Sequence, residues 1–149
     1  MYNKILVPLD GSKRAEAVLP HVEEMAHRYG AEIVFLCVEE LHVMLEWDEV
    51  VDLAKCREKF DARKKESESY LARFKKNFRK KGIKADAHVV HGPVVKSIIH
   101  TAEKMDVDII VMASHGLGGL PRTFYGSVTA GVIQKIDRPL LTIRTRRIE

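Results

Sequence analysis

A glycine-rich connection between two regular segments holds the residues that are best suited to chemistry. Residues 113–129 read ASHGLGGLPRTFYGSVT and include four glycines and one histidine. Glycine has no Cβ, so backbone N–H groups can approach a ligand closely there. The next helix is predicted to begin at Gly126 and Ser127, where unpaired N–H groups and the positive end of the helix dipole suit a phosphate group. The stretch therefore predicts an anion site lined by backbone amides.

Side chains of the same stretch add donors to this predicted site. The hydroxyls of Ser127 and Thr129 fall in the first helical turn, and His115 and Arg122 fall in the loop. The alternative is an ordinary surface loop in which Ser127 caps the helix. Loops of this length and glycine content in compact domains tend to be functional, which favours the anion site. Residues 113–129 contain neither Gly-Lys-Ser/Thr nor Gly-x-Gly-x-x-Gly, so two common phosphate-binding motifs are excluded.

The connection after the first predicted strand, VPLDGSKR, provides a second candidate. Asp10 stands where the strand ends, in the place of a ligand-facing carboxylate. It is equally suited to an Asx turn that leads through Gly11 into a helix. The residues alone leave both roles open.

Both connections are positioned by apolar runs that predict strands at residues 4–10, 32–38, 84–92, 107–113 and 138–145. Apolar residues at three- and four-residue steps predict helices between them. The first helix runs from a cap at Ser12 to a stop at Gly30, and the second covers residues 51–81 and is closed by Gly82. A third begins near Pro93, and a fourth covers residues 127–136. Residues 39–50 have no clear period and predict a loop or the start of a helix.

This alternation of strands and helices predicts an α/β fold. The strands are continuous apolar runs, which is typical of an open parallel sheet covered by helices on both faces. Such a sheet binds its ligand beyond the carboxyl ends of the strands, where the strand order reverses. The connections after the first and fourth strands are therefore the ones to consider. We predict a single domain over residues 1–149.

Composition bounds the class of protein. The 149 residues are 46% hydrophobic and 31% charged, as in a globular domain. The apolar runs are too short to span a membrane, and the N-terminus leaves no room for a signal peptide, so we expect a cytoplasmic protein. Cys37 and Cys56 have no metal-ligand spacing, and we predict neither a metal centre built from protein ligands nor a catalytic residue set.

Charge is concentrated in one helix. Residues 55–81 contain twelve Lys or Arg against four Asp or Glu, within a chain whose net charge is +4. A nucleic-acid surface is one interpretation. We favour the solvated face of a long helix, because no aromatic or recognition motif is interleaved with the basic residues. Neither a membrane nor a nucleic acid is an expected partner.

The two candidate connections together resemble those of the universal stress protein family, and the resemblance runs from ILVPLDGS to DRPLLTIR. Members that bind ATP carry Gly-x-x-Gly, nine residues, then Gly-Ser/Thr after the fourth strand. Here Ala113-Ser114-His115-Gly116 is followed by nine residues and then by Gly126-Ser127. The spacing matches, and Ala113 replaces the first glycine.

Matching positions imply an adenine-nucleotide site in the crevice between the first and fourth strands. The adenosine end would be held by Pro8, Leu9 and Asp10, and the adenine would pack on Val38. The ribose and phosphate would pass over Met112, Ala113, His115 and Gly116. The triphosphate would meet Gly126, Ser127, Val128 and Thr129.

The resemblance also implies the strand order 3-2-1-4-5 and a homodimer. The dimer contact would be the last strand, residues 140–144, from its first residue Leu140 to its last residue Arg144. The implied ligand is ATP, or ADP or AMP, with Mg²⁺ or Mn²⁺. The implied function is an ATP-binding regulatory module of the stress response whose occupied state is read by an unknown protein partner. Two alternatives stay open: a slow ATP hydrolase or phosphoryl-transfer enzyme, and a dimeric interaction protein that has lost its nucleotide.

Overall fold

Five parallel strands form the centre of the described molecule. The computed structural model describes residues 1–40, 53–114 and 126–144, and only the backbone of Leu53. The segment 41–52, most of the stretch expected to be a loop or the start of a helix, lies outside these ranges. The strands are β1 (Lys4–Pro8), β2 (Glu32–Glu39), β3 (Ala85–His91), β4 (Ile109–Ala113) and β5 (Leu140–Ile143).

The strands pair in the order β3-β2-β1-β4-β5, and every pair is parallel. The predicted open α/β sheet with the order 3-2-1-4-5 is therefore confirmed. β1 lies at the centre, between β2 and β4. The chain adds strands to one side of β1 and then to the other, so the carboxyl ends of β1 and β4 flank the point where the order reverses.

The helices are α1 (Lys13–Glu16), α2 (Leu19–Tyr29), α3 (Leu53–Lys80), α4 (Val94–Lys104) and α5 (Ser127–Lys135). The prediction of one helix between Ser12 and Gly30 is wrong in one respect, because the structure interrupts it between α1 and α2. Pro20 has no N–H to donate to the carbonyl of Glu16, so the helical ladder breaks there. The two predicted ends are confirmed: the Ser12 hydroxyl accepts the Ala15 N–H at 3.1 Å, and Gly30 ends α2 in the left-handed region.

Side chains alternate between two apolar layers, one on each face of the sheet. One layer packs α1, α2 and α3 against odd-numbered strand residues such as Val7, Phe35 and Val111. The other packs α4 and α5 against even-numbered residues such as Leu36 and Met112. This alternation decides which residues at the strand ends meet each group of helices. No helix within the described residues is long and apolar enough to cross a membrane.

Candidate functional site

A cavity of about 640 Å³ opens at the carboxyl edge of the sheet. Its walls come from the ends of β1, β2 and β4 and from α1, α3, α4 and α5. The size is that of a site for a small molecule. Because the cavity spans the point where strand order reverses, it lies where an open parallel sheet places its ligand.

Ten residues of the predicted nucleotide site line this cavity, although they come from four separate stretches of chain. They are Pro8, Leu9, Asp10, Val38, Met112, Ala113, Gly126, Ser127, Val128 and Thr129. The other three, His115, Gly116 and Arg122, lie outside the described residues. The structure thus brings the ten together, and their role in binding stays a prediction.

The first turn of α5 forms one end of the cavity. Gly126 is its N-cap, in extended backbone (φ −61°, ψ 155°), and has no side chain to accept an amide N–H. The first helical bond runs from the Ala130 N–H to the Gly126 carbonyl at 2.9 Å. The alternative in which Ser127 caps the helix is wrong, because Ser127 is the first residue inside it. The amides of this turn are therefore placed to donate to an anion.

Thr129 makes a contact that the sequence does not suggest. Its hydroxyl is buried and donates to the Ala113 carbonyl at 2.9 Å, which ties α5 to the end of β4. The Thr129 hydroxyl was expected to donate to a phosphate, but in the structure it donates to a backbone carbonyl of the protein. Any contact from Thr129 to a phosphate would use its backbone N–H.

Asp10 forms the Asx turn that was one of its two expected roles. Its Oδ1 accepts the Ser12 N–H at 2.9 Å and the Ser12 hydroxyl at 2.6 Å, and Gly11 adopts a φ of 86° between them. Asp10 also lines the cavity. The turn therefore holds the carboxylate in a defined position at the cavity wall, and the two roles do not exclude each other.

Charge is distributed unevenly around the cavity. Three carboxylates, those of Glu39, Glu40 and Glu66, gather at the β2 and α3 end. Arg63 is the single cationic side chain among the described lining residues. No described lining residue at the β4 and α5 end is acidic. A polyanion would therefore place its charge at α5 and its neutral part toward β2.

Two lining residues have raised pKa values, mainly because they are buried. Burial, with smaller effects of the Glu39 and Asp10 carboxylates, raises the pKa of the Cys37 thiol to about 12. This thiol stays protonated at neutral pH and is a poor nucleophile. Burial, then the Glu16 carboxylate, raises the pKa of Tyr70, whose hydroxyl also stays neutral.

The α3 residues of the cavity are absent from the predicted site. Arg63, Glu66, Ser67 and Tyr70 line it, and the Ser67 hydroxyl donates to Oε1 of Glu39. They lie on the helical face that continues toward the N-terminus from the predicted core residue Phe74. Extending that stripe by steps of three and four would have found them. The basic charge of the segment favoured a solvated face instead.

No group of three or more His, Cys, Asp and Glu within residues 1–40, 53–114 and 126–144 is arranged to hold a metal ion. Asp10, Glu39, Glu40 and Glu66 line the cavity without forming such a group.

A parallel α/β sheet with the strand order 3-2-1-4-5 has a switch point, the place where the strand order reverses. A cavity at the switch point defines a class of ligand-binding fold. The sequence profile of the universal stress protein family matches residues 1–144. The chain therefore belongs to the universal stress protein family, as its motif suggested.

Similar proteins span nearly the whole chain. Universal stress protein MJ0577 of Methanocaldococcus jannaschii is 32% identical, over 98% of this chain and 97% of its own. The solved structure of MJ0577 superposes with a TM-score of 0.86 and covers 99% of both chains. UspA from Lactobacillus plantarum, at 22% identity, shares the fold with a TM-score of 0.83, over 96% of this chain and 98% of its own. A universal stress protein in complex with cAMP also shares the fold, at 17% identity and a TM-score of 0.68, over 97% of this chain and 98% of its own.

Proposed function

We propose that this protein is an ATP-binding regulatory module. It holds an adenine nucleotide in the cavity at the carboxyl edge of the sheet, and a partner protein reads the occupied state. The observation that carries the proposal is the gathering, in one cavity of about 640 Å³, of ten residues from four stretches that the family motif implies for the nucleotide.

The polarity of the cavity supports one orientation of the ligand. The phosphates would lie at the first turn of α5, where amide donors and the helix dipole favour negative charge. The base would lie beside Val38 at the end of β2, within the apolar layer that also holds Met112 and Val128. The sugar would then cross the end of β1 at Asp10.

The same polarity favours adenine over guanine. The β2 end of the cavity carries the carboxylates of Glu39, Glu40 and Glu66, which accept hydrogen bonds. Adenine presents an amino group where guanine presents a carbonyl oxygen. An amino donor suits this end, and an additional acceptor does not. cAMP, the ligand of one solved universal stress protein of this fold, is also an adenine nucleotide.

The replacement of glycine by alanine at position 113 is compatible with this site. Ala113 belongs to the apolar layer on the α1, α2 and α3 face, and its carbonyl accepts the Thr129 hydroxyl. Its methyl group therefore contributes to the core on the face opposite to α5. Mg²⁺ or Mn²⁺, where present, would be bound through the phosphates and would neutralise part of their charge.

Binding rather than turnover is the activity proposed. Phosphoryl transfer needs cationic groups on the transferred phosphate and a residue that orients the nucleophile. At the α5 end no described lining residue carries a positive charge, and Arg63 lies in α3. These observations favour a module that retains its nucleotide.

A homodimer through β5 is part of the proposal. β5 is an edge strand of the described sheet, and Leu141 on it is 37% exposed. An apolar edge strand of this kind invites pairing with another strand. Pairing with the same strand of a second copy would cover it.

The proposed function is tested by calorimetric titration of nucleotide-stripped protein with ATP, ADP, AMP and GTP, each with and without Mg²⁺. We expect saturable binding of at least one adenine nucleotide and much weaker binding of GTP. Mass spectrometry of the purified protein identifies any nucleotide carried through purification. Equal affinity for GTP and ATP would contradict the adenine site, and no binding at all would favour the dimeric protein that has lost its ligand.

A further inference from the structure

Arg63 of α3 is a cation in the cavity wall that no contact within the described residues explains. It is exposed and lines the cavity, at the end where the carboxylates of Glu39, Glu40 and Glu66 gather. Nevertheless, Arg63 forms no hydrogen bond or ion pair with any described residue. Its guanidinium is therefore available to a ligand of the cavity.

The course of α3 places Arg63 beyond the end of β2. The Ser67 hydroxyl donates to the Glu39 carboxylate at the end of β2, and Nε of Arg79 donates to the Ala85 carbonyl at the start of β3, at 3.0 Å. α3 thus crosses the sheet from its carboxyl edge to the opposite edge. Arg63 precedes Ser67 by four residues, so it lies about 6 Å further along the helix axis, on the side of the carboxyl edge. This is the end of the cavity where the proposed nucleotide places its base.

A base at the end of β2 would have a protein wall on each side. Val38 belongs to the apolar layer on the α4 and α5 face of the sheet, whereas α3 packs on the opposite face. A purine ring is flat, and both of its faces are stabilised when they are covered and removed from water. With Val38 against one face of the base, the other face is directed toward α3.

Of the four α3 residues that line the cavity, Arg63 is the best suited to cover that second face. The Ser67 hydroxyl already donates to a carboxylate of β2, and the Tyr70 ring packs edge-on against Phe74 with the ring centres 5.0 Å apart. The carboxylate of Glu66 would be repelled by the negative face of an aromatic ring. A guanidinium is planar, positively charged and weakly hydrated, and it stacks on aromatic faces.

We propose that the Arg63 guanidinium stacks on the adenine ring of the bound nucleotide, on the face opposite to Val38. This inference rests on the proposed nucleotide function. It adds to the motif residues a base contact from a helix that the motif does not include. In the proposed orientation the phosphates lie at the α5 end of the cavity, so the guanidinium serves the base and not the phosphates.

The test is the Arg63→Ala variant, titrated with AMP, ADP and ATP. Its affinity for all three nucleotides should fall by the same factor, about three- to tenfold, since the lost contact is to the base that they share. The melting temperature of the nucleotide-free protein should not change, because the side chain is exposed. Arg57→Ala is the matched control: Arg57 is also exposed on α3 but does not line the cavity, and its removal should change neither quantity.

Nuclear magnetic resonance of arginine-labelled protein locates the guanidinium relative to the base. ATP should shift the Cδ protons of Arg63 upfield, because the ring current above the face of adenine shields them. Inorganic triphosphate, which has no ring, should not cause this shift. The signal that is lost in Arg63→Lys identifies the residue.

Three results would overturn the stacking contact and leave the proposed function intact. They are unchanged nucleotide affinity in Arg63→Ala, a loss of affinity that grows from AMP to ATP, and no upfield shift in wild-type protein saturated with ATP. The second result would assign Arg63 to the phosphates. Failure of the wild type to bind any adenine nucleotide would overturn both the contact and the proposed function.

Discussion

Asp10 combines a structural contact with a place in the cavity wall. The two hydrogen bonds from Ser12 fix its Oδ1, and the Ser12 hydroxyl in turn caps α1. The carboxylate is thereby held before any ligand arrives. Such preorganisation lowers the entropy that binding must offset. One short sequence, Asp-Gly-Ser, thus both starts a helix and presents an acceptor at the switch point.

Gly126 offers the sharpest residue-scale test of the phosphate position. We expect Gly126→Asp to abolish nucleotide binding, because its carboxylate would occupy the amide donors and repel the phosphates. The same substitution should leave thermal stability unchanged or slightly higher, since aspartate is a good N-cap and the extended backbone of Gly126 suits any residue. Calorimetric titration with ATP and thermal unfolding of the nucleotide-free protein measure the two effects.

Gly126→Asn is the matched control for that variant. Asparagine has nearly the same shape and caps as well, but it carries no charge. It should weaken binding less than aspartate does. Full ATP affinity in Gly126→Asp would place the phosphates elsewhere.

At the scale of elements, α4 and α5 approach each other closely at Gly131. A Cβ at this position would lie 2.8 Å from Cγ2 of Val95 and 3.2 Å from its Cγ1. Valine is stiff at χ1, so it cannot easily turn away. Gly131 therefore sets how closely α5 packs on α4, and with it the direction in which the first turn of α5 enters the cavity.

We expect Gly131→Ala to destabilise the protein by up to about 2 kcal/mol. Overpacking of a core costs about 1–3 kcal/mol, and the higher helix propensity of alanine returns about 1 kcal/mol. In a Val95→Ala background the clash is absent, so the same substitution should stabilise by about 1 kcal/mol. Denaturant unfolding of the wild type, of the two single variants and of the double variant measures the free energy of coupling between positions 95 and 131. A stabilising effect of Gly131→Ala in the wild-type background would show that the helices can separate freely.

At the scale of the whole molecule, the register of β5 against β4 shows which backbone N–H and C=O groups of β5 face the open edge of the sheet. The Pro139 and Ile143 carbonyls accept the amides of Ile110 and Ser114. Alternate residues of a strand direct their backbone N–H and C=O groups to the same side. The backbone groups of Leu141 therefore also face β4, and those of Thr142 face away from it. In the proposed dimer, Thr142 would therefore pair with the second copy.

We expect Thr142→Pro to convert the proposed dimer into a folded monomer. Proline removes the outward N–H of Thr142 and is tolerated on an edge strand whose N–H faces solvent. Leu141→Pro is the matched control, because it removes an N–H directed at β4 and should lower stability as well. Light scattering coupled to size exclusion measures mass, and thermal unfolding measures stability. A monomeric wild type, or a Thr142→Pro variant that remains dimeric, would contradict the proposed interface.

Local sequence was sufficient to predict most helices and strands, but it did not predict the break between α1 and α2. The turn signals at Ser12, Gly30 and Gly82 act on neighbouring residues, so the ends that they predict follow from the chain alone. Pro20 is also a local signal, and the continuous apolar stripe around it concealed the break between α1 and α2. Periodicity reports which face is buried, whereas the helical ladder depends on a particular N–H.

The sequence by itself determined the α/β alternation, the two connections at the switch point and the motif residues that meet in one cavity. Each of these depends on residue types at short or motif-defined spacing. Only the tertiary structure decided that the Thr129 hydroxyl donates to the Ala113 carbonyl and that α3 forms part of the cavity wall. These features depend on the distances between segments far apart in the chain, and hydrogen-bond satisfaction is a property of those distances rather than of composition.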